Sequence, residues 1–161
     1  RDAEALANLD KAIEKSPNSA ILFLARGNIF DKQANPKDAA GKEKDKPKNY
    51  EELMAKAETN YKKSAELEPK NSDAWYNMGA LYNGWANNNL MLCDNLIKQA
   101  TKMKECEAKA TEKYMKAITA LEKVLELNQG DKGTMKYLHK LYIRTEQNDK
   151  ANKIKAEIDK K

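Results

Sequence analysis

The chain has 161 residues, long enough to bury a core and short enough to be one domain or one run of repeats. Its 40% hydrophobic and 34% charged residues, with six Gly and four Pro, suit a helical protein. No apolar run approaches the roughly 18 residues of a membrane-spanning helix, and two Cys with one His are too few for a structural zinc site.

The net charge of +5 is carried at one end. Residues 132–161 hold nine Lys and Arg against four acids, a difference equal to the whole excess. Only three of the 30 basic residues are Arg, and Lys makes poor bidentate forks to phosphate. A solvated face is therefore the first expectation for these cations and an acidic partner the second. The chain opens Arg1-Asp2-Ala3, without Met or a signal-like apolar stretch, as a processed chain or an excised piece would.

In chain order, the first expected helix (about 2–15) carries Ala5, Leu9 and Ala12 before Pro17, spaced four, three and five. Ala57, Tyr61, Ser64 and Pro69 repeat that spacing, as do Ala117, Leu121, Val124 and Gln129. Small and large apolar slots thus share one helix face, and a stop signal follows. After each such helix comes a second pattern. It reads Phe23-x2-Arg26-Gly27-x2-Phe30, then Trp75-x2-Met78-Gly79-x2-Tyr82, then Met135-x2-Leu138-His139-x2-Tyr142. The spacing sets the large residues on one face and the glycine where a neighbouring backbone can approach closely. Arg26 departs from the apolar slot and His139 from the small one. Ser16 to Ser19, Ser72-Asp73 and Gly130-Asp131 supply turns and helix N-caps.

Two stretches lengthen this pattern between its first and second helices. Ala34 to Asn49 contains Pro36, Gly41, Pro47 and mixed charges with almost nothing apolar, so it is expected to be a mobile loop. Trp85 to Lys113 has no Gly or Pro and is helical in composition. Trp85, Leu92, Cys93, Leu96 and Ile97 extend one face, and Cys106, Ala110 and Tyr114 extend the other. Two overlong helices (72–98 and 104–128) are expected to pack as a protruding antiparallel hairpin, turning near Lys98–Lys104. Asn87-Asn88-Asn89 is the rival turn site, and Asn83-Gly84 is discounted because its flanks do not alternate. Cys93 and Cys106 are equidistant from a point between Gln99 and Ala100. They are read either as two buried thiols or, in an exported chain, as a staple across the hairpin tip. The remaining helices are expected at 19–33, 49–68, 131–146 and 148–160, with Ala151, Ile154 and Ile158 on the inner face of the last.

These patterns resemble the tetratricopeptide repeat: W-x2-L-G-x2-Y in the first helix of a pair, and small and large apolar slots before Pro in the second. The resemblance covers nearly the whole chain. It implies an all-α fold, a right-handed α-α superhelix of about seven antiparallel-paired helices, with the extended hairpin in the second full repeat. The chain is then one domain over 1–161. It comprises a partial repeat (1–18), a repeat with the loop 34–49 (19–71), a long repeat (72–130) and a C-terminal repeat and cap (131–161). A second helix without its partner at the start fits a piece of a longer array. The lengthened repeats look most like exported bacterial members, which favours a periplasmic or exported location over the cytoplasm.

The family's usual role implies a non-enzymatic interaction scaffold that holds a peptide or partner domain in a concave groove lined by first helices. That lining would take Leu24, Asn28 and Asp31 from the first full repeat. Tyr76, Asn77, Ala80 and Asn83 follow from the second, and Lys136, Lys140 and Arg144 from the last. Asn28 and Asn77 match two of the five positions with which one subclass grips a C-terminal carboxylate. Leu24, Gly133 and Tyr137 stand where its other cations belong, so that clamp is not expected.

The alternative function is binding of nucleic acid or another polyanion through the C-terminal lysines, nucleic acid being the less favoured partner. No cofactor, metal or catalytic group is expected. Gly130-Asp131-Lys132-Gly133-Thr134 lacks the preceding strand and the spacing of a phosphate loop. His139 occupies a packing slot. Of Trp75, Trp85 and Tyr76, a candidate aromatic platform, Trp75 is expected in the core and Tyr76, a groove position, is the better contact residue. No acid/base pair or nucleophile constellation is present.

Overall fold

A computed structural model describes residues 2–96 and 98–160. Arg1, Ile97 and Lys161 lie outside the described residues. With them go the expected place of Ile97 on the hairpin face and that of Lys161 in the basic end. Seven helices follow in order: α1 (Asp2–Lys15), α2 (Ala20–Ala34), α3 (Tyr50–Leu67), α4 (Ser72–Cys93), α5 (Ala100–Leu127), α6 (Lys132–Arg144) and α7 (Asn148–Asp159). Among the described residues the only β pairing is one isolated bridge, Lys37 to Glu43. No helix of the described residues is long and apolar enough to cross a membrane. The chain divides into two compact units, Arg1–Ala74 and Trp75–Lys161, the division falling in the first turn of α4.

In the first unit α2 and α3 form the main pair. Phe23 and Leu24 from α2, and Leu53, Met54, Ala57 and Tyr61 from α3, make its core. Gly27 lets the two helices meet: a Cβ there would lie 2.7 Å from two ring carbons of Tyr61. Arg26, the cation in an apolar slot, is a tie rather than a fault. Its Nε donates to Asn60 Oδ1 at 2.7 Å on α3, and its Nη1 to Asp10 Oδ1 at 2.6 Å on α1. Asn60 is itself buried, so the bond satisfies a polar group that would otherwise be costly there. The segment between α2 and α3 folds back on itself. Asp38 Oδ1 accepts from the amides of Ala40 and Lys42, both at 2.9 Å, and Gly41 takes the left-handed turn position with φ +80°.

In the second unit α4 and α5 form the long hairpin. α4 runs without a break through Asn83-Gly84 and Asn87-Asn88-Asn89, so neither serves as a turn. It stops at Cys93, a single 3-10 turn covers Asp94–Leu96, and α5 starts at Ala100 rather than near 104. The turn thus comes a few residues earlier than the spacing predicts. Asp94 and Asn95 are weak helix formers that favour turns, whereas nothing from Ala100 to Met103 breaks a helix. Cys93 and Cys106 are joined by a disulfide across the hairpin, their Cα atoms 5.6 Å apart. Trp85, Cys93, Ala110 and Tyr114 are buried as expected, but Leu92, expected beside them, is 55% exposed. One residue from Cys93 is about 100° round the helix, which carries Leu92 off the inner face.

Gly79 repeats the role of Gly27, since a Cβ there would lie 2.6 Å from Leu121 Cγ. Asp131 caps α6: its Oδ1 accepts from the amides of Gly133 (2.9 Å) and Thr134 (3.1 Å), and its Oδ2 from the Thr134 hydroxyl (2.7 Å). These bonds to the ionised form, the Thr134 hydroxyl first, hold the Asp131 carboxyl below its ordinary value. α6 ends in a paired-bond C-cap, Gln147 N to Tyr142 O and Glu146 N to Ile143 O, with Glu146 in the left-handed position at φ 59°. On α7, Ala151 is buried and Ile154 and Ile158 are half-buried, the face expected to turn inward.

Candidate interaction surface

The expected lining residues fall in both units, and the structure gives them different surroundings. In the first unit Leu24 is only 6% exposed and belongs to the core. Asn28 and Asp31, nearly one turn apart on α2, both face the hydroxyl of Tyr61. That hydroxyl donates to Asn28 Oδ1 at 2.8 Å, with Asp31 Oδ2 3.4 Å away. Asn35 Nδ2 donates to Asp31 Oδ1 at 2.7 Å. Burial pushes the Asp31 carboxyl above its ordinary value of 3.8, against the opposing pull of Asn35, Tyr61, Lys46 and Lys37. Asn28 is exposed and Asp31 half-buried, and both also hold the hydroxyl of a core tyrosine at the α2–α3 contact.

In the second unit Tyr76 is exposed, its ring edge-on to that of Tyr137 with centroids 6.4 Å apart. Asn77 and Ala80 are half-buried on the same helix. Further along, Asn83 on α4 and Lys136, Lys140 and Arg144 on α6 come together. With Asn87, Gly133, Tyr137 and Leu141 they line a recess of about 610 Å³. No residue lining it is acidic.

α6 supplies the charge because its cations recur every fourth residue, which keeps them along one side of the helix. Arg144 is held in place there. Its Nη1 donates to Asn87 Oδ1 at 2.6 Å and to the Tyr114 hydroxyl at 2.5 Å, and its guanidinium carbon lies 5.2 Å from the centre of the Tyr114 ring. Tyr114 donates in turn to Asn87 Oδ1 at 2.6 Å. Burial, and Tyr76 after it, raises the Tyr137 phenol above its ordinary value while a bond with Asn83 opposes the shift. The recess can therefore offer cationic and neutral donors, an arrangement for carboxylates or other anions.

Asn87, Tyr114 and Tyr137 escape a reading of the sequence as site residues. Asn87 stands four residues after Asn83 on the same face, a signal hidden by the resemblance of the Asn triplet to a turn. Tyr114 reads as a core position of α5, and only the structure shows its hydroxyl reaching Arg144.

Comparison with known proteins gives one family match and several structural ones. Residues 60–103 match the family model described as tetratricopeptide repeat. The crystal structure of a TPR repeats protein from Bacteroides fragilis superposes with a TM-score of 0.61 at 21% identity, over 88% of this chain and 60% of that one. This chain thus spans 60% of that protein's length, and the likeness shows the fold, a helical solenoid. MamA aligns over 92% of this chain and 81% of its own at 18% identity, with a TM-score of 0.36. No curated protein matches the sequence.

Proposed function

We propose, from the premise that this chain is a tetratricopeptide repeat protein, that it is a non-enzymatic scaffold that holds a segment of a partner protein in the recess between α4 and α6. Tetratricopeptide repeats generally mediate protein–protein interaction, and the family is typically a scaffold without catalysis. The observation that carries the finer reading is the convergence of Asn83, Lys136, Lys140 and Arg144 on one recess with no acid in its lining. The disulfide between Cys93 and Cys106 supports a place in an oxidising compartment, as export would provide.

A displayed random-peptide library selected on the full chain tests the recess. Lys140 is exposed, so Lys140→Glu reverses its charge without disturbing the core. Selected peptides should bind the unaltered chain and lose at least about tenfold in affinity for Lys140→Glu, as close charge reversal does. Peptides bound equally by both proteins would place the partner surface elsewhere.

A further inference from the structure

The cations of α6 have a spacing that specifies more than a general affinity for acids. Lys136, Lys140 and Arg144 rise along the helix by about 6 Å per step. An extended peptide advances about 6.6 Å for every second residue, with those side chains on one side. Carboxylates on alternate residues of an extended segment therefore keep step with all three cations.

The charges are also left uncompensated. Elsewhere the chain pairs lysines with a glutamate one turn away, as Lys56 with Glu52 (2.6 Å), Lys62 with Glu58 (2.6 Å) and Lys116 with Glu112 (2.7 Å). On α6 the residues one turn apart are Lys132, Lys136, Lys140 and Arg144, like charges that destabilise a helix. Lys132 is tied to the carbonyls of Ile158 and Lys160. Among the described residues no carboxylate lies within ion-pair distance of Lys136, Lys140 or Arg144. Arg144 is nonetheless held by Asn87 and Tyr114, which leaves the rest of its fork directed by neutral partners.

We propose that the recess selects an extended peptide segment with carboxylate side chains on alternate residues, Arg144 taking one in a forked contact and Lys140 and Lys136 the next two. This rests on the reading of the recess as the partner surface and adds the partner's chemistry. It requires no free C-terminus.

The test uses the full chain and fluorescent peptides acetylated and amidated at their ends. One has three Glu separated by single Ser residues; the other has the same composition with the three Glu adjacent. The alternating peptide should bind about three- to tenfold tighter, and Arg144→Gln should remove that preference. Lys140→Gln, at an exposed position that bonds to nothing in the core, should reduce it as well. Equal binding of the two peptides, binding of neither, or tighter binding of a single-stranded oligonucleotide of the same charge would overturn the proposal. If library peptides that depend on Lys140 lack alternating acids, the recess remains the partner surface and only the chemistry proposed here fails. If no library peptide depends on Lys140, the partner surface itself is misplaced.

Discussion

The glycines of this chain separate by what surrounds each residue. Gly27 and Gly79 each face a bulky side chain at a distance no Cβ tolerates, the Tyr61 ring and the Leu121 branch point. Gly41 needs its positive φ. Gly84 sits inside α4 with nothing within 4 Å of the place a Cβ would take. Gly79→Ala should therefore destabilise the protein by about 1–3 kcal/mol, because the crowded atom is a branch carbon in a filled core. Gly84→Ala should stabilise it by about 0.5–1 kcal/mol through helix propensity and lost chain entropy. Urea unfolding of both variants checks the pair, and the same sign for the two would contradict the packing described.

Asp31 makes a second test at this scale. Its carboxyl is raised above 3.8 chiefly by burial, so the folded state favours the protonated form and the carboxylate weakens the fold at neutral pH. Stability from this group is greatest below 3.8 and is lost as pH rises through the raised folded value. Asp31→Asn, which keeps an acceptor for Asn35, should melt higher than the unaltered chain at neutral pH. The difference should close below pH 3.8. A lower melting temperature at neutral pH would mean that the bonds with Asn35 and Tyr61, with the attraction of Lys46 and Lys37, outweigh burial.

At the scale of elements, the pairing of helices is legible in the sequence, because each pair repeats a spacing that only a shared face explains. Seven helices follow, five of them ending within two residues of their expected bounds. Less legible is the hairpin turn, where no Gly or Pro marks the break and only the weak helix propensity of Asp94 and Asn95 signals it. The candidate site divides the same way. The cationic side of α6 can be read from its four-residue recurrence. The role of Asn28 cannot, because it depends on where the hydroxyl of Tyr61 arrives from another helix. Nor does sequence fix the state of Cys93 and Cys106, whose symmetry about the turn allows a bond without requiring one. With the bond formed, the unfolded and unreduced protein should offer no thiol to a labelling reagent. Reduction should lower stability by about 3 kcal/mol, the cost of releasing so short a loop. Two labelled thiols per chain would remove the staple and the argument for an oxidising compartment.

For the whole molecule, the excess charge and the proposed site coincide. Lys136, Lys140 and Arg144 belong to the same stretch that carries the net +5, and the recess is where three of those cations meet neutral donors instead of glutamates. A polyanion would use such charge without regard to spacing and would weaken steeply with salt. A peptide held by the recess would also engage Asn83, Asn87 and Tyr137, so salt should weaken it less steeply than it weakens a polyanion.

Mapping tests most directly where a partner meets the chain. Backbone amide resonances of the full chain, followed by NMR as a library-selected peptide is added, report which residues meet it. Shifts should concentrate at Asn83, Asn87 and residues 133–144, with the amides of α1 to α3 unmoved. Shifts centred on α7 or on the first unit would contradict it.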